Sequence, residues 1–197
     1  AAASPPRRTR SGTEVAPRAA RRPVGPESYA PGVILRLADP DDVAELAAVG
    51  ELTLAAYDHD GWLGDAEDGY REHLRDAAGR ARDAELAVAL EDDGTLLGTV
   101  TFCRAGSPWA EVSAPGEAEF RMLAVAPAAR GRGVGRTLSA WCLDRARAEG
   151  CRAIVLSTLP GMAAAHRLDE RPGFPPTPAP DWEPGPDFDP AKLADID

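Results

Sequence analysis

The chain reads as an α/β domain with a mixed sheet and a tail at each end. Three observations predict this. The strand-like and helix-like segments follow the order β-α-α-β-β-β-α-β-α, not the repeating βαβ alternation of an all-parallel sheet. A glycine-rich turn, Arg130-Gly131-Arg132-Gly133-Val134-Gly135, joins an apolar run to an amphipathic helix. The 197 residues, 44% of them hydrophobic, suffice for one substantial core.

Val33 to Leu37 is a short first strand. Asp39-Pro40-Asp41-Asp42 then reads as a helix start, with an N-cap acid, proline in the first turn and acids facing the helix dipole. Val43, Leu46, Ala47, Gly50, Leu54 and Tyr57 keep helical spacing to about Tyr57. Residues 58–68 form a turn-rich acidic loop. Tyr70, Leu74, Ala77 and Ala81 mark a second helix from about Gly69 to Arg82.

Glu85 to Leu90 and Thr95 to Cys103 are strands joined by a turn at Asp92-Asp93-Gly94. A polar loop containing Trp109 leads to a strand from Glu117 to Val125. The next helix runs from Gly133 to about Glu149, with Val134, Leu138, Trp141 and Cys142 on one face and Gly150 as its stop. Arg152 to Thr158 is a buried central strand, and a short helix spans about Met162 to Glu170.

The tails have no apolar periodicity. Residues 1–32 are rich in Pro, Arg, Ala and Gly, cannot bury enough surface to offset their ordering entropy, and are expected to be disordered. Residues 175–197 form a proline-rich acidic tail, irregular or partly ordered, with seven prolines between 175 and 190. The folded domain is therefore expected at 33–174.

Glycines at the start of a helix leave backbone N–H groups uncovered where the dipole is positive, which is a phosphate site. Arg130 and Arg132 strengthen it. A nucleoside-triphosphate loop would require Gly-Lys-Ser/Thr, but Lys192 is the chain's one lysine. A dinucleotide fingerprint would require glycine where Arg136 stands and an acid near Ser157. The pattern R/Q-x-x-G-x-G/A fits directly, as Arg130-x-x-Gly133-x-Gly135.

With Glu119-Phe-Arg-Met-Leu-Ala-Val125-x-Pro127 ahead of it, this segment resembles motif A of the GNAT superfamily of acyl-CoA-dependent N-acyltransferases. The resemblance implies a mostly antiparallel twisted sheet flanked by helices, and acetyl-CoA as acyl donor. It implies that Arg130, Gly131, Arg132, Gly133, Val134, Gly135 and Arg136 hold the coenzyme pyrophosphate. Leu123, Ala124 and Val125 would place the pantetheine arm and acyl carbonyl. The activity implied is direct attack by a primary amine of a small molecule or peptide on the thioester.

Such a transfer needs a base for the amine and an acid for the departing sulfur. By the same resemblance Glu119 is the candidate base. Strand alternation puts Glu119, Arg121, Leu123 and Val125 on one face and Phe120, Met122 and Ala124 on the other. The alternatives for Glu119 are an ion pair with Arg121 or a solvated strand end. In Leu168-Asp169-Glu170-Arg171-Pro172-Gly173-Phe174, Asp169 stands where the family often has the tyrosine acid, and Met162 where it often has asparagine. An ordinary aspartate is ionised at neutral pH and cannot donate. His166 lies one turn away. A catalytically impaired acyl-CoA-binding sensor or regulatory domain is therefore the alternative function.

The net charge of −10 argues against general nucleic-acid binding, although residues 7–22 carry six arginines. Asp58, Asp60, Asp65, Glu67 and Asp68, with Trp62, make an acidic rim suited to a cationic amine such as a polyamine, aminoglycoside or lysine side chain. A second copy of the chain is a further candidate partner. His59, His73 and His166 form no ligand pattern with each other or with cysteine, so no metal is expected. Cys103, Cys142 and Cys151 are odd in number and widely spaced, which predicts a reducing, cytoplasmic setting. No apolar run reaches the ~18 residues of a membrane span.

Overall fold

The computed structural model describes residues 9–14, 30–61, 63, 68–158 and 176–177. The expected helix at 162–170, with Met162, His166 and Asp169, lies outside them, as do Trp62, Asp65 and Glu67.

The elements in chain order are β1 (Thr9–Glu14), β2 (Ile34–Leu37), α1 (Val43–His59), α2 (Asp68–Arg75), α3 (Ala77–Asp83), β3 (Glu85–Leu90), β4 (Leu96–Arg104), β5 (Glu117–Val125), α4 (Val134–Ala148), β6 (Ala153–Thr158) and β7 (Pro176–Thr177). They build one sheet in the order β2-β3-β4-β5-β6-β1-β7. Every neighbouring pair is antiparallel except β5 and β6, which α4 connects as a crossover. The mixed, mostly antiparallel α/β fold expected from sequence is the one observed.

Alternation along the strands divides the core between two faces. Ala87, Val100, Phe102, Phe120 and Ile154 pack with Val134, Leu138 and Cys142 of α4. On the opposite face Leu86 and Val88 pack with Leu46 and Val49 of α1 and Ala77 of α3. Leu54, Leu74, Cys103, Trp109 and Met122 continue that second face towards the C-terminal half of β5. Gly98 brings α4 close to the sheet: a Cβ there would lie 2.8 Å from the Ala124 carbonyl and 3.1 Å from Val134.

Four expectations need correction. Helix α1 is capped by Asp42, whose side chain accepts the Glu45 amide at 2.9 Å, and not by Asp39. Asp39 instead accepts from Asp41 in a turn of its own, because Pro40 favours a turn as readily as a first helical residue. The single helix expected at 69–82 is two helices. Asp76 caps α3 through the Gly79 amide at 2.7 Å, and a Cβ on Gly50 of α1 would strike the carbonyl of Arg75 at the break. The apolar spacing carries straight through that break, so periodicity could not reveal it.

The tail boundaries also move. Residues 9–14, expected in a disordered tail, form β1, in register from Thr9↔Thr158 to Glu14↔Ala153. A backbone ladder needs no apolar alternation, and β6 would otherwise present an open edge. Ala30 also belongs to the domain: its amide donates to Thr137 Oγ1 at 2.9 Å, and its carbonyl accepts from Val33. At the other end Pro176 and Thr177 pair with β1.

Candidate functional site

Strand β5 is the spine of the site. It pairs with β4 from Ala118 to Val125, but with β6 only from Glu117↔Ala153 to Glu119↔Val155. The parallel register with β6 ends at Glu119, so among the described residues β5 from Arg121 to Val125 pairs with β4 alone. At the same place β5 bulges. Thr101 pairs with Arg121 and Thr99 with Ala124, which sets Met122 and Leu123 opposite Val100 alone, with Met122 at φ +50°. A bulge of this kind re-aims the side chains that follow it.

The expected face assignment is corrected accordingly. Phe120 packs on the α4 face, but so do Leu123 and Val125. Met122 packs on the α1–α3 face. Simple alternation therefore holds only up to the bulge, and Leu123 and Val125 do not share a face with Glu119.

The chain leaves β5 through a 3-10 turn at Pro127–Ala129 and enters the glycine loop. Gly131 and Gly133 have φ of +77° and +83°, a backbone region that side chains with a Cβ rarely adopt. Gly133 is the N-cap of α4 and offers no side-chain acceptor. The first-turn amides of Val134, Gly135 and Arg136 thus lack an intrahelical partner. Residues 130–133 are exposed, whereas Val134 is buried and anchors the turn in the core. Two of the loop arginines already have partners: Arg130 meets Asp60, and Arg132 meets Glu91. Arg136 is exposed and forms no ion pair with a described residue.

Glu119 is fully buried, which excludes the solvated-end alternative. Its Oε2 accepts three consecutive backbone amides, Glu111 and Val112 at 2.9 Å and Ser113 at 3.1 Å. Its Oε1 has no hydrogen bond and stands 3.8 Å from Arg121 Nε. Burial pushes this carboxyl above its ordinary range, against the opposing pull of the amides and of Arg121. A carboxylate with one oxygen locked and the other in a long ion pair but without a hydrogen bond, made more basic by desolvation, is chemically suited to accept a proton.

The loop that supplies those amides is itself fixed from three sides. The Trp109 indole N–H donates to the Gly79 carbonyl at 3.2 Å, and its ring stacks on His73 at 4.8 Å. Arg121 donates to the Trp109 carbonyl at 2.8 Å and pairs with Glu111. Burial, helped by the Arg121 charge, pushes His73 below its ordinary range. Cys103, paired across the sheet with Glu119, is raised to about 12 by burial and is an inert core thiol.

Below this cluster lies the fully buried Arg80. It donates to the Leu74 carbonyl at 3.1 Å, Thr53 Oγ1 at 3.2 Å, Thr101 Oγ1 at 3.3 Å and the Asp76 carbonyl at 3.4 Å. Desolvation lowers its pKa to about 10, so it keeps its charge near neutrality. Sequence reasoning placed Trp109 in a polar loop but gave neither that loop nor Arg80 a role, because isolated residues in helices and loops carry no periodic signal.

The structure thus brings the glycine loop and the C-terminal end of β5 together, with Glu119 further back on the same strand. Among the described residues no cluster of side chains suits a metal, and no helix is long and apolar enough to cross a membrane. Two acids of the rim are engaged: Asp58 lies 3.7 Å from Arg71, and Asp60 holds Arg130.

A sheet that opens beside a glycine-rich helix start, with the first-turn amides of that helix uncovered, defines the α/β architecture of the site. The chain belongs to the GNAT acetyltransferase family, whose model matches residues 51–174. Among curated proteins none matches it in sequence. Among solved structures it is similar to a GCN5-related N-acetyltransferase from Sphaerobacter thermophilus, with TM-score 0.56 and 20% identity over 88% of this chain and 50% of that one. It therefore spans half the length of that protein. A GCN5-related N-acetyltransferase from Ralstonia eutropha gives TM-score 0.56 and 22% identity over 78% of this chain and 98% of that one. A putative acetyltransferase of Salmonella typhimurium, yncA, whose structure holds its cofactor acetyl-CoA, gives TM-score 0.53 and 26% identity over 73% and 80%.

Proposed function

We propose that the chain is an acetyl-CoA-dependent N-acetyltransferase acting on a primary amine of a small molecule or peptide. The observation that carries this reading is the exposed glycine turn, with uncapped amides at Val134, Gly135 and Arg136, beside the part of β5 that has left β6. The turn would take the coenzyme diphosphate on backbone amides and arginine side chains. The free edge of β5 near Leu123, Ala124 and Val125 would position the pantetheine and acyl carbonyl.

In this reading the amine nitrogen attacks the thioester carbonyl, forming C–N while C–S breaks. Glu119 Oε1 receives the amine proton, through water because the carboxyl is buried. The sulfur leaves as thiolate and is protonated afterwards. Asp169 is the candidate donor for that last proton, and it qualifies only with its carboxyl protonated. A cationic acceptor suits the acidic end of α1, and a cytoplasmic setting suits three free cysteines. A homodimer is compatible with the same chemistry.

Aspartate at the position of the family's usual acid favours a second reading, an acyl-CoA-binding sensor. Thiol release from acetyl-CoA, followed with a panel of polyamines, aminoglycosides and lysine peptides, separates the two. Amine-dependent release identifies an enzyme, whereas coenzyme binding without release identifies a sensor.

A further inference from the structure

The phosphate loop is already partly neutralised from within. Arg130 holds Asp60 in a two-point contact, Nη1 to Oδ1 at 2.6 Å and Nη2 to Oδ2 at 3.1 Å. Asp60 belongs to neither the loop nor β5; it is the C-cap of α1. Its carboxylate docks on the guanidinium fork as a phosphate oxygen pair would. Arg132 is held less completely, by one oxygen of Glu91 at 2.6 Å.

We propose that Asp60 is an internal competitor for the coenzyme diphosphate and so sets coenzyme affinity through Arg130. This rests on the coenzyme reading above. Asp60 occupies the Nη1–Nη2 end of the guanidinium, so a diphosphate that uses that end must first displace Asp60. Both side chains are about a third exposed, at 37% and 30%, so water and salt reach the pair and exchange is easy. The apparent dissociation constant is the intrinsic one divided by the fraction of molecules in which Arg130 is unoccupied. Asp60 also places a negative charge beside the anion to be bound. Both effects act in one direction, and removing the carboxylate strengthens coenzyme binding.

The test is calorimetric titration of free coenzyme A into the full-length chain, wild type, D60N, R130Q and the double variant, at about 0.1 M salt. D60N is expected to lower the dissociation constant by about two- to fivefold, the range of an exposed ion pair. In the R130Q background, where only the repulsion by the Asp60 charge remains, the same substitution is expected to tighten binding clearly less. An unchanged or larger dissociation constant in D60N overturns the inference, as does equal tightening with and without Arg130, which would mean a diffuse charge effect. These outcomes require that the wild type bind coenzyme. If it binds none, the coenzyme reading itself fails and takes this inference with it.

Discussion

Replacing Glu119 with glutamine tests the electrostatics of the buried carboxyl without altering its shape. The folded protein holds the Glu119 proton more tightly than the unfolded chain does, because burial outweighs the three amides and Arg121. A carboxyl raised in this way contributes stability that is fully present below its unfolded value and is lost as pH rises through its folded value. Glutamine reproduces the neutral form at every pH, and its carbonyl can keep the amides of Glu111, Val112 and Ser113. The stability of E119Q relative to wild type should therefore climb from about pH 4 upward and level off once Glu119 is ionised in the folded state. Each unit by which the carboxyl is raised corresponds to about 1.4 kcal/mol of that climb. Urea denaturation of both proteins at intervals between about pH 4 and 8 reads the difference, in which contributions from all other groups cancel. A flat difference, or one that falls with pH, would refute the claim that burial dominates at this site.

Other substitutions probe the scaffold. Gly133→Val forces a branched side chain into a backbone at φ +83° and places its Cβ 3.3 Å from that of Ala30. It should cost about 1–3 kcal/mol in denaturant unfolding and weaken coenzyme A binding at least about tenfold by covering the turn. Arg80→Ala leaves Thr53, Thr101 and two helix-end carbonyls around a cavity, and should destabilise by about 3 kcal/mol or more in the same assay. Deleting residues 1–14 removes β1 and bares the edge of β6. Light scattering should then report concentration-dependent association beyond that of the full chain.

What could be read from the sequence was what local pattern dictates. The β3–β4 hairpin, the strand at 117–125, the helix after Gly133 and the glycine turn before it all follow from alternation, glycine placement and helix-end physics. The bulge at Met122 could not be read, since its cause is the register with β4 and not the residues of β5 alone. The break at Asp76 was hidden because α2 and α3 share one apolar stripe. Strand β1 was hidden because Thr9–Glu14 is polar and owes its place to the backbone edge of β6. Glu119 was found through its position before the loop, but its partners, the amides at 111–113, sit in a loop whose shape depends on Trp109 packing against His73 and Gly79, both far away in sequence.

The central claim is that backbone amides of the turn before α4 grip a diphosphate. Amide resonances of the ¹⁵N-labelled chain, followed while coenzyme A is added, address it directly. The account predicts saturable displacements largest at Gly131, Gly133, Val134, Gly135 and Arg136, with a second group along β5 from Leu123 to Val125. Resonances that stay fixed there, whether nothing moves or the displacements gather elsewhere, would contradict it.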